Sequence, residues 1–311
     1  MNKYENTPKR LTAPDDDVLP KPPSMKLWGN LRDNVYFLIP NAEACLPAGY
    51  YNFLYYNDRM QFEKITVDTN KIYDLPNSTG DLIKKDLTKF WQSEDRYRRY
   101  GREFRRNYLI YSAPGTGKTS LIYLMCEQLL NEYSGVVLFA SGINEIEYLP
   151  NALRILRDVE SDRRVIVVIE DIDRFVDDDK TPLLDFLDGN SRCGGVVTIA
   201  TTNHIERMEE RFVNRPSRFD RVLEFPLPDA VCRRLFFEKS VLPDDLASID
   251  LDEWVKKTEG YTLDHLNELV LLVFVFGHSE EEAFATLNKM IGDAGRLKNK
   301  TSVKHVKKIG F

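Results

Sequence analysis

Eight residues from Ser112 to Thr119, reading Ser-Ala-Pro-Gly-Thr-Gly-Lys-Thr, combine the side chains and spacing of a phosphate-binding loop. They follow the apolar run Tyr108 to Tyr111 and precede the helical pattern Ser120 to Met125. Between a buried strand and a helix start, glycine-rich backbone turns its N–H groups around phosphate oxygens, and the helix dipole adds positive potential there. Lys118 then reaches the β- and γ-phosphates and Thr119 offers its hydroxyl to Mg²⁺. Ala113, Pro114, Gly115, Thr116, Gly117 and Ser120 complete the expected nucleotide contacts. Ser112 replaces the first glycine of the G-x-x-x-x-G-K-[ST] pattern, which a negative φ accommodates, while Gly115 and Gly117 remain where backbone approaches the ligand closely. A Gly-Thr-Gly turn without ligand is the competing reading, and the flanking strand, helix and Lys-Thr pair weigh against it.

Phosphoryl transfer to water also needs placed carboxylates. The run Val165 to Ile169 ends in Glu170 and Asp171, and ligands of open α/β sheets bind at the carboxyl ends of strands. One of these acids suits Mg²⁺ and the next suits the attacking water. For this segment alone, acids solvated at a strand end remain a serious rival. A second apolar run, Val196 to Thr202, ends in Asn203, whose amide offers both donor and acceptor to a water and a phosphate. Arg215 and Arg218 fall in an arginine-rich loop suited to the developing charge of a transferring phosphoryl group, although for such a loop by itself surface ion pairs are the favoured reading.

These groups require a sheet to hold them. Strand-like runs at Tyr108 to Tyr111, Gly135 to Ala140, Val165 to Ile169, Val196 to Thr201 and Val222 to Phe225 alternate with helical patterns, which predicts a five-stranded parallel sheet with helices on both faces. A capping-box-like start at Ser78 leads into a helix with Leu82, Ile83, Leu87, Phe90 and Trp91 on one face. The resulting division is a flexible arm at 1–25, a small β-rich domain at 26–78, a large α/β domain at 79–228, a helical lid at 229–295 and a basic tail at 296–311.

The 311 residues are 42% hydrophobic with a formal net charge of −6, enough for sizeable cores and unfavourable to general polyanion binding. Cys45, Cys126, Cys193 and Cys232 lack C-x-x-C spacing and read as reduced thiols. The longest apolar run, Leu269 to Phe276, is far short of the ~20 residues of a bilayer span. It is expected as a buried helix. The first residues lack the apolar core of a secretory signal, so the expectation is a cytoplasmic protein without a membrane partner.

Taken in order, the loop, the acidic strand end, Asn203 and the paired arginines resemble the AAA+ ATPases over residues 79–295. The lead-in Arg105 to Tyr111 and the order Glu170, Asp171, Ile172, Asp173 resemble the branch of the mitochondrial ATPase that assembles respiratory complex III and its bacterial and phage relatives. The resemblance implies a P-loop NTPase core with a helical lid. It makes ATP and Mg²⁺ the cofactors, Lys118 and Thr119 their ligands and Asn203 the sensor. Arg215 and Arg218 become fingers acting on a neighbouring subunit in a homo-oligomeric ring, most often a hexamer. Glu170 takes the metal slot and Asp171 the slot of the water-activating acid, reversing the commoner order with a side chain one methylene shorter. Leu263 and His265 stand where that family commonly has Gly and Asp, and His265 reads as a packing residue.

What the ATPase would act on stays open in the sequence. Tyr148 is either a substrate-contacting pore residue or a staple for a helix from about Asn151, the latter slightly favoured. The segment Arg96 to Arg106 interleaves arginines with Tyr97, Tyr100 and Phe104, a pattern that binds single-stranded nucleic acid or pairs with nearby acids, and the pairing is favoured. The readings are a ring ATPase remodelling protein, an ATPase loaded on nucleic acid, and a slow nucleotide-gated scaffold.

Overall fold

The computed structural model describes residues 27–32, 35–39, 44–56, 59–68, 72–76, 78–175, 182–188, 194–208 and 218–292. The expected arm, the basic tail and Arg215 lie outside these residues. The chain divides between Leu46 and Pro47 into two units. Within the first, β1 (Leu27–Arg32) and β2 (Val35–Ile39) form an antiparallel hairpin with Leu27 opposite Ile39.

In the second unit, β5 (Arg105–Tyr111), β6 (Val136–Phe139), β7 (Val165–Ile169), β8 (Val196–Thr202) and β9 (Arg221–Glu224) are parallel. Their spatial order is β6-β7-β8-β5-β9, the five-stranded core expected from the alternating runs. Strands β6, β7 and β8 are buried throughout because helices cover both faces, which is why they read as continuous apolar runs.

The sheet is wider than expected. β3 (Gly49–Tyr56) pairs in parallel with β6, and β4 (Arg59–Ile65) closes the edge antiparallel to β3, giving seven strands. These strands were assigned from sequence to a separate β-rich domain. Tyr50 and its neighbour Tyr51 are buried on opposite faces, with Phe53 on the side of Tyr51, so β3 needs cover on both faces and finds it in the large sheet. Tyr50 stacks on Phe139 of β6 at 6.1 Å.

Helix α1 (Ser78–Trp91) buries Ile83, Leu87, Phe90 and Trp91 as its periodicity requires, whereas Leu82 is 44% exposed and lies off that face. After α2 (Glu94–Arg99), the aromatic residues Tyr97 and Phe104 pack on Phe90. Helix α3 (Lys118–Tyr133) starts at the end of the glycine loop. Helix α4 (Ile143–Val159) starts at Ile143, earlier than expected, and carries Pro150 inside it. Tyr148 therefore lies within the helix, stacked on Tyr55 of β3 at 5.5 Å, and staples no helix start. A short α5 (Pro182–Leu187) precedes β8.

The strands end at the Pro226 and Pro228 segment. Helices α6 (Ala230–Ser240), α7 (Pro243–Leu246), α8 (Leu251–Lys257), α9 (Leu263–Val270) and α10 (280–292) occupy the segment expected from sequence to be a lid. Its core centres on Trp254 with Phe237, Leu266, Leu269 and Leu287. Asp229 and Asp250 cap α6 and α8 through the amides of Cys232 and Glu253. The apolar run at the end of α9 passes into a π turn (Leu271–Val275), and Val275 and Phe276 are exposed rather than buried. Among the described residues no helix is long and apolar enough to cross a membrane, and no cysteine is in a disulfide.

Candidate active site

The loop between β5 and α3 folds as its composition requires. Gly115 and Gly117 take φ of 76° and 97°, in the left-handed region that glycine enters without a Cβ penalty. Ser112 needs no positive φ, and its hydroxyl adds something the sequence did not reveal. Lys118 Nζ donates to Ser112 Oγ at 2.6 Å, so serine in place of glycine helps hold the ammonium. Ala113 and Pro114 are exposed at the loop's outer turn, and Ala113 also accepts from Lys118 at 3.2 Å. Burial pushes the Lys118 ammonium below its ordinary pKa, while Asp171 and Glu170 pull it back up.

Three strand ends converge on this lysine. Lys118 Nζ donates to Asn203 Oδ1 at 2.7 Å, and Asn203 Nδ2 donates to Asp171 Oδ1 at 3.1 Å. Thr119 Oγ1 donates to Glu170 Oε1 at 2.9 Å. The structure thus brings together Lys118, Thr119, Glu170, Asp171 and Asn203, side chains taken from three separate segments of sequence. Asp171 has φ of 49°, a left-handed conformation costly for a residue with a Cβ and concentrated at functional sites. Its Oδ2 pairs with Arg174 at 2.7 Å, a partner without a sequence signal beyond its i+3 spacing. Behind them, the buried Asp173 accepts from Thr202 Oγ1 at 2.6 Å and fixes the end of β8 against the turn after β7.

A pocket opens beside the loop, lined by Tyr73, Leu75, Thr116, Gly117, Ser120 and Leu263. It lies between the loop, the segment before α1 and the lid, where a nucleoside would continue from phosphates held at Lys118. His265 does not enter it. Its Nδ1 lies 3.2 Å from the Thr262 N–H and 2.9 Å from Thr262 Oγ1, closing a capping box at the start of α9, as a packing histidine should.

Two expected roles meet different surroundings. Arg218 is 6% exposed, and its guanidinium grips Asp188 through two 2.9 Å hydrogen bonds, so in this chain it is held in cis. The arginine-rich lead-in is largely spent on structure. Arg106 pairs with Asp86 at 2.8 Å, and Arg105 donates to the carbonyls of Phe186 and Leu187. The turn between β6 and α4 is only Ala140 to Gly142, without an aromatic residue.

Residues 108–227 match the family model described as ATPase family associated with various cellular activities (AAA). The ATP-dependent zinc metalloprotease FtsH 2 of Thermoanaerobacter sp. is 27% identical over 293 residues, covering 86% of this chain and 56% of that protein. The probable mitochondrial chaperone BCS1-B of Dictyostelium discoideum is 26% identical over 258 residues, covering 70% and 54%. The proteasome-activating nucleotidase of Methanospirillum hungatei is 26% identical over 246 residues, covering 73% and 55%. This chain spans about half the length of these relatives. A glycine loop closed on Asn203 and the acids after β7, on a sheet ordered β6-β7-β8-β5-β9, lies within that matched segment, and residues 108–227 are an AAA ATPase domain.

Proposed function

We propose that this chain binds ATP with Mg²⁺ at the Lys118 loop and hydrolyses it, as one subunit of a homo-oligomeric ring, most simply a hexamer, that remodels protein substrates. The observation that carries the reading is the unbroken contact from Lys118 through Asn203 to Asp171, with Thr119 and Glu170 beside it.

The glycine loop at the start of α3 and the Lys118 ammonium suit the β- and γ-phosphates. The Thr119 hydroxyl and the Glu170 carboxylate, 2.9 Å apart, are two hard oxygens within reach of one small ion. Mg²⁺ keeps several waters and takes its remaining oxygens from phosphates, so one or two protein ligands suffice. When bound, the ion neutralises charge on the transferring phosphoryl group. Asp171 is then placed to polarise the attacking water, and the Asn203 amide can orient that water against the γ-phosphate.

The finger role is assigned to Arg215 and Arg218 acting on a neighbour's nucleotide. For Arg218 this requires exchanging Asp188 for phosphate on assembly. Protein as the substrate class is supported by the relatives' names, a metalloprotease, a chaperone and a proteasome activator. Tyr148, tied to Tyr55, is not used as a free pore contact in this reading. A cytoplasmic setting with reduced thiols belongs to the same proposal. Slow turnover is a second reading, favoured by the short Asp171 side chain and its clamp to Arg174.

The test is ATP turnover measured alongside light scattering as protein concentration rises. Fingers acting in trans make specific activity climb with assembly and make Arg215→Ala/Arg218→Ala inactive in the assembled state. Full turnover of that double variant as a monomer would overturn the ring.

A further inference from the structure

The lid touches the phosphate-binding loop directly. The Asp264 N–H donates to the Gly115 carbonyl at 3.1 Å, and Leu263 and Asp264 lie over the loop's two glycines. A Cβ on Gly117 would meet Leu263 Cδ1 at 2.7 Å, and a Cβ on Gly115 would meet Asp264 Oδ2 at the same distance. Leu263 thus covers the loop with hydrocarbon and forms part of the pocket wall. Asp264 does something different, because it brings a carboxylate against the Cα of Gly115. Among the described residues no lysine or arginine forms an ion pair with Asp264.

A loop of inward N–H groups at a helix start attracts anions through its local positive potential. A carboxylate at its rim subtracts from that potential. We propose that Asp264 is an electrostatic gate on the loop, lowering its affinity for a nucleoside triphosphate and discriminating against the metal-free form. The proposal rests on the nucleotide-binding reading above. Metal-free ATP carries about two more negative charges than its Mg²⁺ complex, so the same carboxylate repels it more strongly. Release of the gate requires only that the lid carry Asp264 away from Gly115, since the contact consists of one backbone hydrogen bond and two side-chain approaches.

Asp264→Asn removes the charge and keeps the volume and the backbone donor. Equilibrium titration of the full chain with ATP, in EDTA and in excess Mg²⁺, reads the effect without turnover. In EDTA at low salt Asp264→Asn is expected to bind ATP about three- to tenfold more tightly than wild type. The gain should be smaller with Mg²⁺ and should shrink at about 0.5 M salt, where charges more than a few ångströms apart are screened. Asp264→Ala, which removes the charge by a different change, is expected to move in the same direction. Equal or weaker ATP binding by both variants would overturn the gate, as when the carboxylate instead accepts from ribose hydroxyls. Wild type without saturable ATP binding would overturn the nucleotide reading itself, so the two failures are distinct.

Discussion

Asn203 links the lysine of the glycine loop to the acid after β7, accepting from Lys118 at 2.7 Å and donating to Asp171 at 3.1 Å. A side-chain amide provides both a donor and an acceptor on one planar group. The contact couples the glycine loop to the carboxylate after β7, and both lie at the carboxyl edge of the central strands.

Asn203→Ala is therefore expected to lower kcat by about a hundredfold while KM for ATP changes much less, since the amide acts on the transferring group. Steady-state phosphate release over a range of ATP concentrations separates the two parameters. A rise in KM with unchanged kcat would assign Asn203 to ground-state binding.

Arg174 holds Asp171 Oδ2 at 2.7 Å from an exposed position. Exposed pairs contribute about 0.2–1 kcal/mol, which limits any effect of releasing the carboxylate to about fivefold. Arg174→Ala is expected to raise turnover at saturating ATP within that limit. A fall in turnover would make Arg174 an orienting group for Asp171.

Arg218 and Asp188 form a pair in which the guanidinium is almost wholly buried. Truncation leaves Asp188 without this partner, and Arg218→Ala should cost about 2 kcal/mol or more in chemical denaturation, with Arg218→Lys recovering only part because it cannot make the two-pronged contact. Unchanged stability in the alanine variant would show that the pair contributes little and leave Arg218 free for another role.

Asp86 accepts from Tyr108 and Arg106. Burial alone would raise its pKa, but these hydrogen bonds and the nearby Arg106 and Arg221 charges outweigh it and hold the carboxyl below its ordinary 3.8. A depressed folded-state value stabilises the protein above the ordinary value, and that stabilisation is lost as pH falls below it through the folded value. Denaturant midpoints between about pH 5 and 3 should fall more steeply for wild type than for Asp86→Asn. Parallel curves would remove Asp86 from the acid response.

Much of this site was readable in sequence because its parts are local. A glycine loop between strand and helix, acids ending the apolar run at Ile169 and Asn203 ending the next each announce themselves within about ten residues. What was missed depends on distant pairing. Nothing near Tyr50 to Tyr56 says that this strand joins Val136 to Phe139. At Arg96 to Arg106 the sequence favours structural pairing over nucleic-acid binding, and Arg106 does pair with Asp86, but the packing of Tyr97 and Phe104 on Phe90 has no local signal. Asp264 appeared only as a neighbour of two unusual lid residues, since its meaning comes from the approach of the lid to Gly115.

The most direct measurement is steady-state phosphate release from Mg²⁺–ATP by wild type, Lys118→Ala and Asp171→Asn at equal concentration and oligomeric state. The expected result is measurable turnover in wild type and a loss of about a hundredfold or more in each variant. Turnover unchanged by both substitutions would contradict the assignment of ATP hydrolysis to this site.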